Sequence, residues 1–232
     1  MTAANNQAKK SRQLDDPDGC PVCLSIGPQP FLSAEGRNYW RCGICEARFL
    51  DPRQLPPRAA EQQRYLQHRN DPDDPAYRRF LSRLADPLLA RLPAGSRGLD
   101  YGCGPGPALA AMLREAGHRM ALSDPFFQAD PEPLERIYDF VTCTETAEHF
   151  HRPAQEFDRI AGLVRRGGWL MTSFLVEDGQ FAGWRYRKDP THVVFYHEKT
   201  LRHIAASRGW TCDIPVKDVA LMQKPQEECG SR

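Results

Sequence analysis

Short apolar segments alternate with amphipathic segments over most of the chain that follows residue 96. Each apolar segment has the length of a buried strand, and hydrophobic residues at helical spacing lie between the segments. Strand and helix in alternation predict an α/β fold in which a mostly parallel sheet has helices on both faces. The predicted strands cover residues 97–101, 120–124, 139–144, 169–174, 212–216 and 219–222.

Two amphipathic helices are predicted ahead of the sheet, over residues 59–68 and 75–92. They separate a cysteine-bearing segment from the α/β region, so the chain divides into five parts. The apolar stripe of the second helix consists of Phe80, Leu81, Leu84, Leu88 and Leu92. The predicted parts are a disordered tail (1–18), a cysteine-bearing domain (19–50), a helical linker or lid (51–92), the α/β domain (93–224) and a second tail (225–232).

The composition predicts a soluble globular protein of the cytoplasm. Hydrophobic residues make up 41% of the 232 residues and charged residues 26%. No window approaches the roughly 18 apolar residues of a membrane span, and the N-terminal residues lack the apolar core of a secretory signal. Lys and Arg number 31 and Asp and Glu number 30, so the charge balance gives no support to nonspecific nucleic-acid binding.

Four of the eight cysteines form two CxxC pairs, Cys20 with Cys23 and Cys42 with Cys45. A disulfide framework is disfavoured in a reducing compartment. Two CxxC pairs at this separation are typical of four thiolates around one zinc ion. Such a site has no open position for a substrate, so the predicted zinc is structural and folds a segment too short to build its own core.

An acidic residue and three glycines mark the turn after the first predicted strand, in the segment 99–106 (LDYGCGPG). Glycine allows a tight turn and lets a bound ligand approach the backbone closely. The dinucleotide fingerprint GxGxxG would need a glycine where Pro107 stands, and the lysine of a phosphate-binding P-loop is absent. An acid at this position would repel a diphosphate and favour a cationic ligand.

The pattern D-x-G-x-G-x-G after a strand resembles motif I of class I S-adenosylmethionine (SAM) dependent methyltransferases. The resemblance implies a Rossmann-like sheet with an antiparallel last strand, SAM as the cofactor and methyl transfer as the reaction. Asp100, Gly102 and Gly104 would line the methionine part of SAM, and Asp124 would accept hydrogen bonds from its ribose. The other residues implied in cofactor binding are Cys103, Gly106, Thr144 and Glu145.

The chain departs from the family pattern after Asp124. Only a short segment separates this residue from Tyr138, and a normal third strand with its helix does not fit there. The acidic loop that contacts adenine in the family is therefore not assigned, and Asp130 and Glu132 are its candidates.

Polar residues after the predicted strands are the candidate catalytic groups, because α/β sites form at the carboxyl edge of the sheet. His192 is the first candidate for a general base. The segment that it ends, Asp189-Pro-Thr-His192, resembles a pocket-capping segment of small-molecule methyltransferases of the ubiquinone-biosynthesis type. The alternative for His192 is a structural histidine bonded to a loop carbonyl. The other candidates are His149, Tyr186 and, in the predicted lid helix, Tyr65 and His68.

The N-terminal zinc segment is compatible with two substrate classes. It resembles the ribbons of some ribosomal-RNA guanine methyltransferases, which would make it an RNA reader. It also resembles those of sugar C-methyltransferases, which would make it a structural element or a pocket lid. We expect O- or C-methylation of a small molecule, because the fourth-strand segment, the segment 189–192 and the near-zero net charge favour it. Segment 144–147 lacks the Asn/Asp-Pro-Pro-Tyr/Phe tetrapeptide of many base-modifying enzymes, which weakens the case for methylation of a base amino group. RNA methylation and a noncatalytic SAM- or zinc-binding adaptor are the alternatives, and the sequence leaves the oligomeric state open.

Overall fold

A computed structural model describes residues 17–67, 70–173 and 178–226 of the chain. Most of the predicted N-terminal tail, the end of the C-terminal tail and His68 lie outside these ranges. The described residues form two sheets, of four and six strands, and five α-helices. None of the helices in these ranges combines the length and the apolar character that a membrane crossing requires.

The cysteine-bearing segment folds into a small antiparallel sheet, called the ribbon below. Its own strands are β1 (Gln29–Ala34), β2 (Arg37–Arg41) and β3 (Arg48–Leu50). A fourth strand, β8 (Val194–Phe195), comes from far along the chain and pairs with β3. The sequence pattern does not predict β8, because two buried residues are too few to show a period. Its pairing ties the ribbon to the α/β region.

Two helices follow the ribbon, α1 (Arg58–Tyr65) and α2 (Pro75–Leu89), and both end before the predicted residues 68 and 92. The Asp74 carboxylate caps α2 by accepting a hydrogen bond from the N–H of Ala76 (2.8 Å). The apolar stripe is buried as predicted over the middle of α2, where Leu81, Leu84 and Leu88 are at most 3% exposed.

The remaining elements alternate between strand and helix, as predicted. They are β4 (Arg97–Tyr101), α3 (Ala108–Glu115), β5 (Arg119–Ser123), β6 (Tyr138–Cys143), α4 (Pro153–Leu163), β7 (Val164–Ser173), α5 (Glu198–Ala206), β9 (Thr211–Val216) and β10 (Val219–Gln223). The strand order is β5-β4-β6-β7-β10-β9. The first four strands are parallel and β10 is antiparallel to both of its neighbours. The predicted Rossmann-like sheet with an antiparallel last strand is confirmed.

The stretch between β5 and β6, which is described in full, contains no strand. Its one regular element is a 3-10 helix over Glu132–Glu135. The short segment between Asp124 and Tyr138 predicts that no third strand forms. Because no strand pairs with its other side, β5 lies at the edge of the sheet. The backbones of Asp124 and Gln128 exchange hydrogen bonds of 3.1 and 3.0 Å, so the chain turns back on itself directly after β5.

One hydrophobic cluster joins the ribbon to the large sheet. Trp40 and Phe49 of the ribbon are both 1% exposed and belong to the same cluster as Val141 of β6 and Phe195 of β8. Full burial of a large apolar side chain contributes about 1.5–3 kcal/mol, so these residues stabilise both parts together. The division into separate domains at 19–50 and 93–224 remains a prediction.

Candidate functional site

The glycine-rich turn joins β4 to α3. Gly102 has a φ of +80°, a conformation in which a side chain is strained. A Cβ atom at this position would lie 2.1 Å from Cγ2 of Thr146, whose hydroxyl donates to the carbonyl oxygen of Gly102 (3.0 Å). Gly102 therefore lets the loop after β6 pack directly against the turn.

Gly106 permits a second close contact, with the segment that links α1 to α2. A Cβ atom at Gly106 would lie 1.8 Å from the carbonyl oxygen of Asn70. The region predicted as a linker or lid thus passes against the turn. The glycine spacing predicts close approach of a ligand, whereas at Gly102 and Gly106 the close neighbour is the protein's own chain.

Asp100, the acidic residue of the turn, lies in β4 and is 5% exposed. Its Oδ1 accepts a hydrogen bond from the Thr142 hydroxyl of β6 (2.7 Å). Burial raises the pKa of Asp100 from 3.8 to about 6 and the charge of Asp124 adds to the rise, while the Thr142 hydrogen bond and Arg114 oppose it. A ligand cation at this carboxylate would be favoured, because it would offset the cost of the buried negative charge.

Asp124 lies directly after β5 and is held against the turn by backbone hydrogen bonds. Its Oδ2 accepts from the N–H of Gly104 (3.0 Å), and its Oδ1 accepts from the N–H groups of Phe126 (2.8 Å) and Phe127 (3.1 Å). Since Oδ2 accepts only one of these bonds, it retains a lone pair for a ligand hydroxyl.

The loop after β6 places Thr144 and Glu145 beside the turn. The hydroxyl oxygen of Thr144 is buried and has no hydrogen-bond partner among the described residues. Glu145 has a φ of +50°, and such strain costs about 1–3 kcal/mol and is often found at ligand sites.

Cys103 of the turn is also buried, and burial raises the pKa of its thiol to about 12. The thiol is therefore neutral at physiological pH and is not a nucleophile.

One cavity of 1260 Å³ connects the turn to a second set of polar groups. Typical ligand pockets have about 300–1,000 Å³, so this cavity has room for a cofactor together with an acceptor. Of the two candidates for an adenine contact, Asp130 lines the cavity and Glu132 does not. The predicted site residues that line it are Asp100, Gly102, Cys103, Gly104, Gly106, Asp124, Thr144, Glu145, His149, Tyr186 and His192.

His149 and His192 both line this cavity and lie next to each other, with ring centroids 4.8 Å apart. Nδ1 of His149 lies 2.9 Å from the carbonyl oxygen of Thr191, and Nδ1 of His192 lies 2.8 Å from that of Tyr186. A carbonyl oxygen only accepts hydrogen bonds, so each Nδ1 carries a proton, and the neutral form of each ring has its lone pair on Nε2. The Tyr186 ring also stacks on His192, with centroids 5.8 Å apart.

Glu148 adds a buried carboxyl group next to the histidine pair and is 1% exposed. Neither of its carboxyl oxygens has a hydrogen-bond partner among the described residues. Burial raises the pKa of Glu148 well above its ordinary value, and the negative charges of Glu145 and Asp189 act in the same direction. Burial therefore disfavours the charged form of this carboxyl group in the absence of a compensating partner.

Helix α1 lines the same end of the cavity and is held there by two polar contacts. Arg64 donates two hydrogen bonds to Oδ2 of Asp189 (3.0 and 2.7 Å). Nε2 of His151 lies 2.9 Å from Oε1 of Glu61. Tyr65 of α1 lines the cavity as well. The helix therefore lies beside the cavity, and its role as a lid remains a prediction.

The four cysteines of the CxxC pairs converge in the ribbon. The Sγ atoms of Cys20 and Cys45 are 3.6 Å apart, and those of Cys23 and Cys42 are 3.5 Å apart. All four Sγ atoms lie within 4.8 Å of one another. Zinc with four bonds of about 2.3 Å has its sulfur atoms about 3.8 Å apart, so the spacing fits a tetrahedral zinc site.

The structure adds residues to the site that the sequence analysis does not select. Among these residues only Thr142 could have been found from the sequence. A hydroxyl group inside a buried strand requires a hydrogen-bond partner, and that of Thr142 donates to Asp100. The other added residues act through contacts between distant parts of the chain, which no local pattern encodes. They are Glu61, Asn70, Thr146 and His151.

Known structures with a similar fold include methyltransferases crystallised with S-adenosylhomocysteine (SAH), the product of SAM. One is the 1,6-didemethyltoxoflavin-N1-methyltransferase of Burkholderia thailandensis, with a TM-score of 0.53 at 18% identity, over 85% of this chain and 100% of that chain. Another is the magnesium protoporphyrin IX methyltransferase of Synechocystis PCC 6803, with a TM-score of 0.48 at 16% identity, over 72% of this chain and 94% of that chain. At these identities the likeness concerns the fold.

No curated protein sequence matches the chain. Residues 66–213, which are more than half of the chain, match the sequence model of the family described as Methyltransferase domain. The family match agrees with the enzyme class predicted from the glycine-rich turn, and the structure from Burkholderia thailandensis shares the fold. The chain therefore belongs to the methyltransferase-domain family and is a SAM-dependent methyltransferase.

Proposed function

We propose that the protein transfers the methyl group of SAM to an oxygen or carbon atom of a small molecule. The observation that carries the proposal is that one cavity is lined both by the turn at Asp100 and by the histidine pair, His149 and His192. In the similar fold from Burkholderia thailandensis, SAH and a small acceptor are bound together.

The turn and the two flanking acids are the proposed SAM site. The ammonium and sulfonium groups of SAM are positively charged, and the buried carboxylate of Asp100 is the group proposed to attract them. Oδ2 of Asp124 is the proposed acceptor for a ribose hydroxyl. The proposed site also includes Gly102, Cys103, Gly104, Gly106, Thr144 and Glu145.

The histidine pair is the proposed acceptor end. As the S–CH3 bond breaks, its electron pair stays on sulfur and leaves neutral SAH, while the acceptor atom forms the new bond to carbon. The acceptor proton must leave in this step, and Nε2 of His192 has the lone pair that can take it. Positioning of donor and acceptor in line supplies much of the remaining rate enhancement.

The ribbon is proposed to bind one structural zinc ion and to support the acceptor end. Arg37 of β2 donates hydrogen bonds to the carbonyl oxygens of Asp189 (3.2 Å) and Pro190 (2.9 Å). Phe31 of β1 packs edge-to-face on Phe181, with centroids 5.3 Å apart. These contacts support the proposal that the ribbon stabilises the loop before His192. They favour a small-molecule acceptor over the alternative in which the ribbon binds an RNA substrate.

Transfer of labelled methyl groups tests the proposal. The protein is incubated with methyl-labelled SAM and with metabolite and RNA fractions of a cell extract in separate reactions. We expect label in the metabolite fraction, and a matched reaction with Gly104→Val, which places a side chain in the SAM turn, gives none. Label in RNA alone would overturn the proposed acceptor class, and SAM binding without any transfer would favour the adaptor alternative.

A further inference from the structure

Three metal-ligating side chains converge at the acceptor end of the cavity. Glu148, His149 and His192 each offer one ligand atom, and these atoms lie within 4.8 Å of one another. The cluster shares no residue with the four cysteines of the ribbon. We propose that it binds a divalent transition-metal ion of the Zn²⁺ or Fe²⁺ type, and that the acceptor binds this ion through oxygen. The inference rests on the proposed function only for the identity of the acceptor.

The hydrogen bonds of the two histidines orient them as metal ligands. Histidines that bind metals commonly donate their second ring N–H to a carbonyl or carboxylate, which fixes the tautomer and leaves the other nitrogen to coordinate. His149 and His192 both have this arrangement, through the carbonyl oxygens of Thr191 and Tyr186. The backbone carbonyl groups of the loop before β8 therefore fix the tautomer and the orientation of both imidazole rings.

Glu148 provides the independent observation that points to a ligand. Its side chain is buried at 1% exposure and lines the cavity, and both oxygens have no hydrogen-bond partner among the described residues. A buried polar group without a partner costs free energy, and buried carboxylates are normally paired or bound to metal. A bound cation would satisfy this group.

The ligand set favours particular ions. Two imidazoles and one carboxylate form the protein ligands of catalytic zinc sites and of mononuclear non-haem iron sites, and they leave coordination positions open for substrate. Ligand atoms around such ions lie about 3.4 Å apart, so separations of up to 4.8 Å must shorten through rotation of the side chains. The carboxyl group of Glu145 lines the same cavity and adds to its preference for a cation, whereas that of Asp189 is paired with Arg64.

The ion changes the chemistry proposed for His192. A metal-bound acceptor hydroxyl has a lowered pKa and can release its proton to water before methyl transfer. The oxygen then forms its bond to the methyl carbon as the S–CH3 bond breaks, and the electron pair of that bond stays on sulfur. With the ion bound, the lone pair on Nε2 of His192 is used for the metal, so His192 is a ligand and water takes the proton; without the ion, His192 keeps the role of base proposed above.

Zinc titration of the purified full chain tests the site without any methyl acceptor. The protein is first loaded with one Zn²⁺ per chain at the cysteines, and further Zn²⁺ is added in a calorimeter. We expect one more equivalent to bind. His192→Asn and Glu148→Gln should each weaken this second event by at least about 100-fold, because each removes one of three ligands. His203→Asn, on α5 and away from the cavity, is the matched control and should bind as the parent does.

Cobalt provides a second readout that does not depend on the variants. Co²⁺ added to the zinc-loaded parent should give a visible spectrum without the intense absorption of cobalt–thiolate bonds. Absence of a second binding event in the parent, or a second event that persists unchanged in both variants, would overturn the proposal. If the second metal ion binds but no methyl group is transferred, only the proposed function is refuted. If methyl transfer proceeds without the second metal ion, only the metal site is refuted.

Discussion

Asp100→Asn should stabilise the SAM-free protein and abolish SAM binding. The carboxyl group is 5% exposed, and burial raises its pKa from 3.8 to about 6. A group whose pKa is higher in the folded state contributes stability below its unfolded pKa, and this contribution is lost as the pH rises through its folded pKa. Asp100 therefore destabilises the empty protein at neutral pH.

The size of the effect follows from the pKa. The rise to about 6 corresponds to about 3 kcal/mol of lost stability at pH 7.5 and to about half of that at pH 5. The asparagine variant has no charge to bury, and its side-chain oxygen still accepts the hydrogen bond from Thr142. Its advantage in the free energy of unfolding should therefore grow with pH by about 1–2 kcal/mol between pH 5 and pH 7.5.

Urea denaturation of zinc-loaded parent and variant at pH 5, 6 and 7.5 measures this advantage. Asp86→Asn, an exposed carboxylate on α2, is the matched control and should change stability by no more than about 0.5 kcal/mol at any pH. Calorimetry on the same samples should detect SAM binding by the parent and none by Asp100→Asn. A variant that is less stable than the parent at pH 7.5, or whose advantage does not vary with pH, would refute the reasoning.

Three further substitutions test other parts of the site. His192→Ala should lower turnover by roughly 100-fold or more while SAM affinity and melting temperature stay nearly unchanged, and a parallel loss of all three would indicate a structural role instead. Cys42→Ser should contain one zinc equivalent fewer than the parent by elemental analysis and have a lower melting temperature; an unchanged zinc content would contradict the four-thiolate site. Gly106→Ala should destabilise the protein by about 1–3 kcal/mol, because its Cβ meets the Asn70 carbonyl. Gly162→Ala in open space on α4 should instead be neutral or stabilising, and equal effects at both positions would refute the contact.

The α/β sheet could be predicted because its signals are local. Each strand has its own apolar segment, and the acid and glycines of the turn at 100–106 stand next to one another in the sequence. The same holds for the two CxxC pairs, whose convergence requires only that each pair bends at one turn. The missing third strand is also a local property, since it follows from the length of one segment.

The parts that could not be predicted depend on contacts between distant segments. β8 has two residues, and only its pairing with β3 makes it a strand. The contact of Asn70 with Gly106 and the pairing of Glu61 with His151 join the helices before the sheet to its loops. Such contacts follow from the packing of the whole chain, and no spacing in the sequence encodes them.

A crystal structure of the protein with SAH tests the central claim most directly. The account predicts SAH over the turn at 100–106, with its amino-acid head near Asp100, its ribose at Asp124 and its sulfur directed toward His149 and His192. SAH bound elsewhere, or bound at the turn with its sulfur directed away from the histidine pair, would contradict the assignment of a single cavity to cofactor and acceptor.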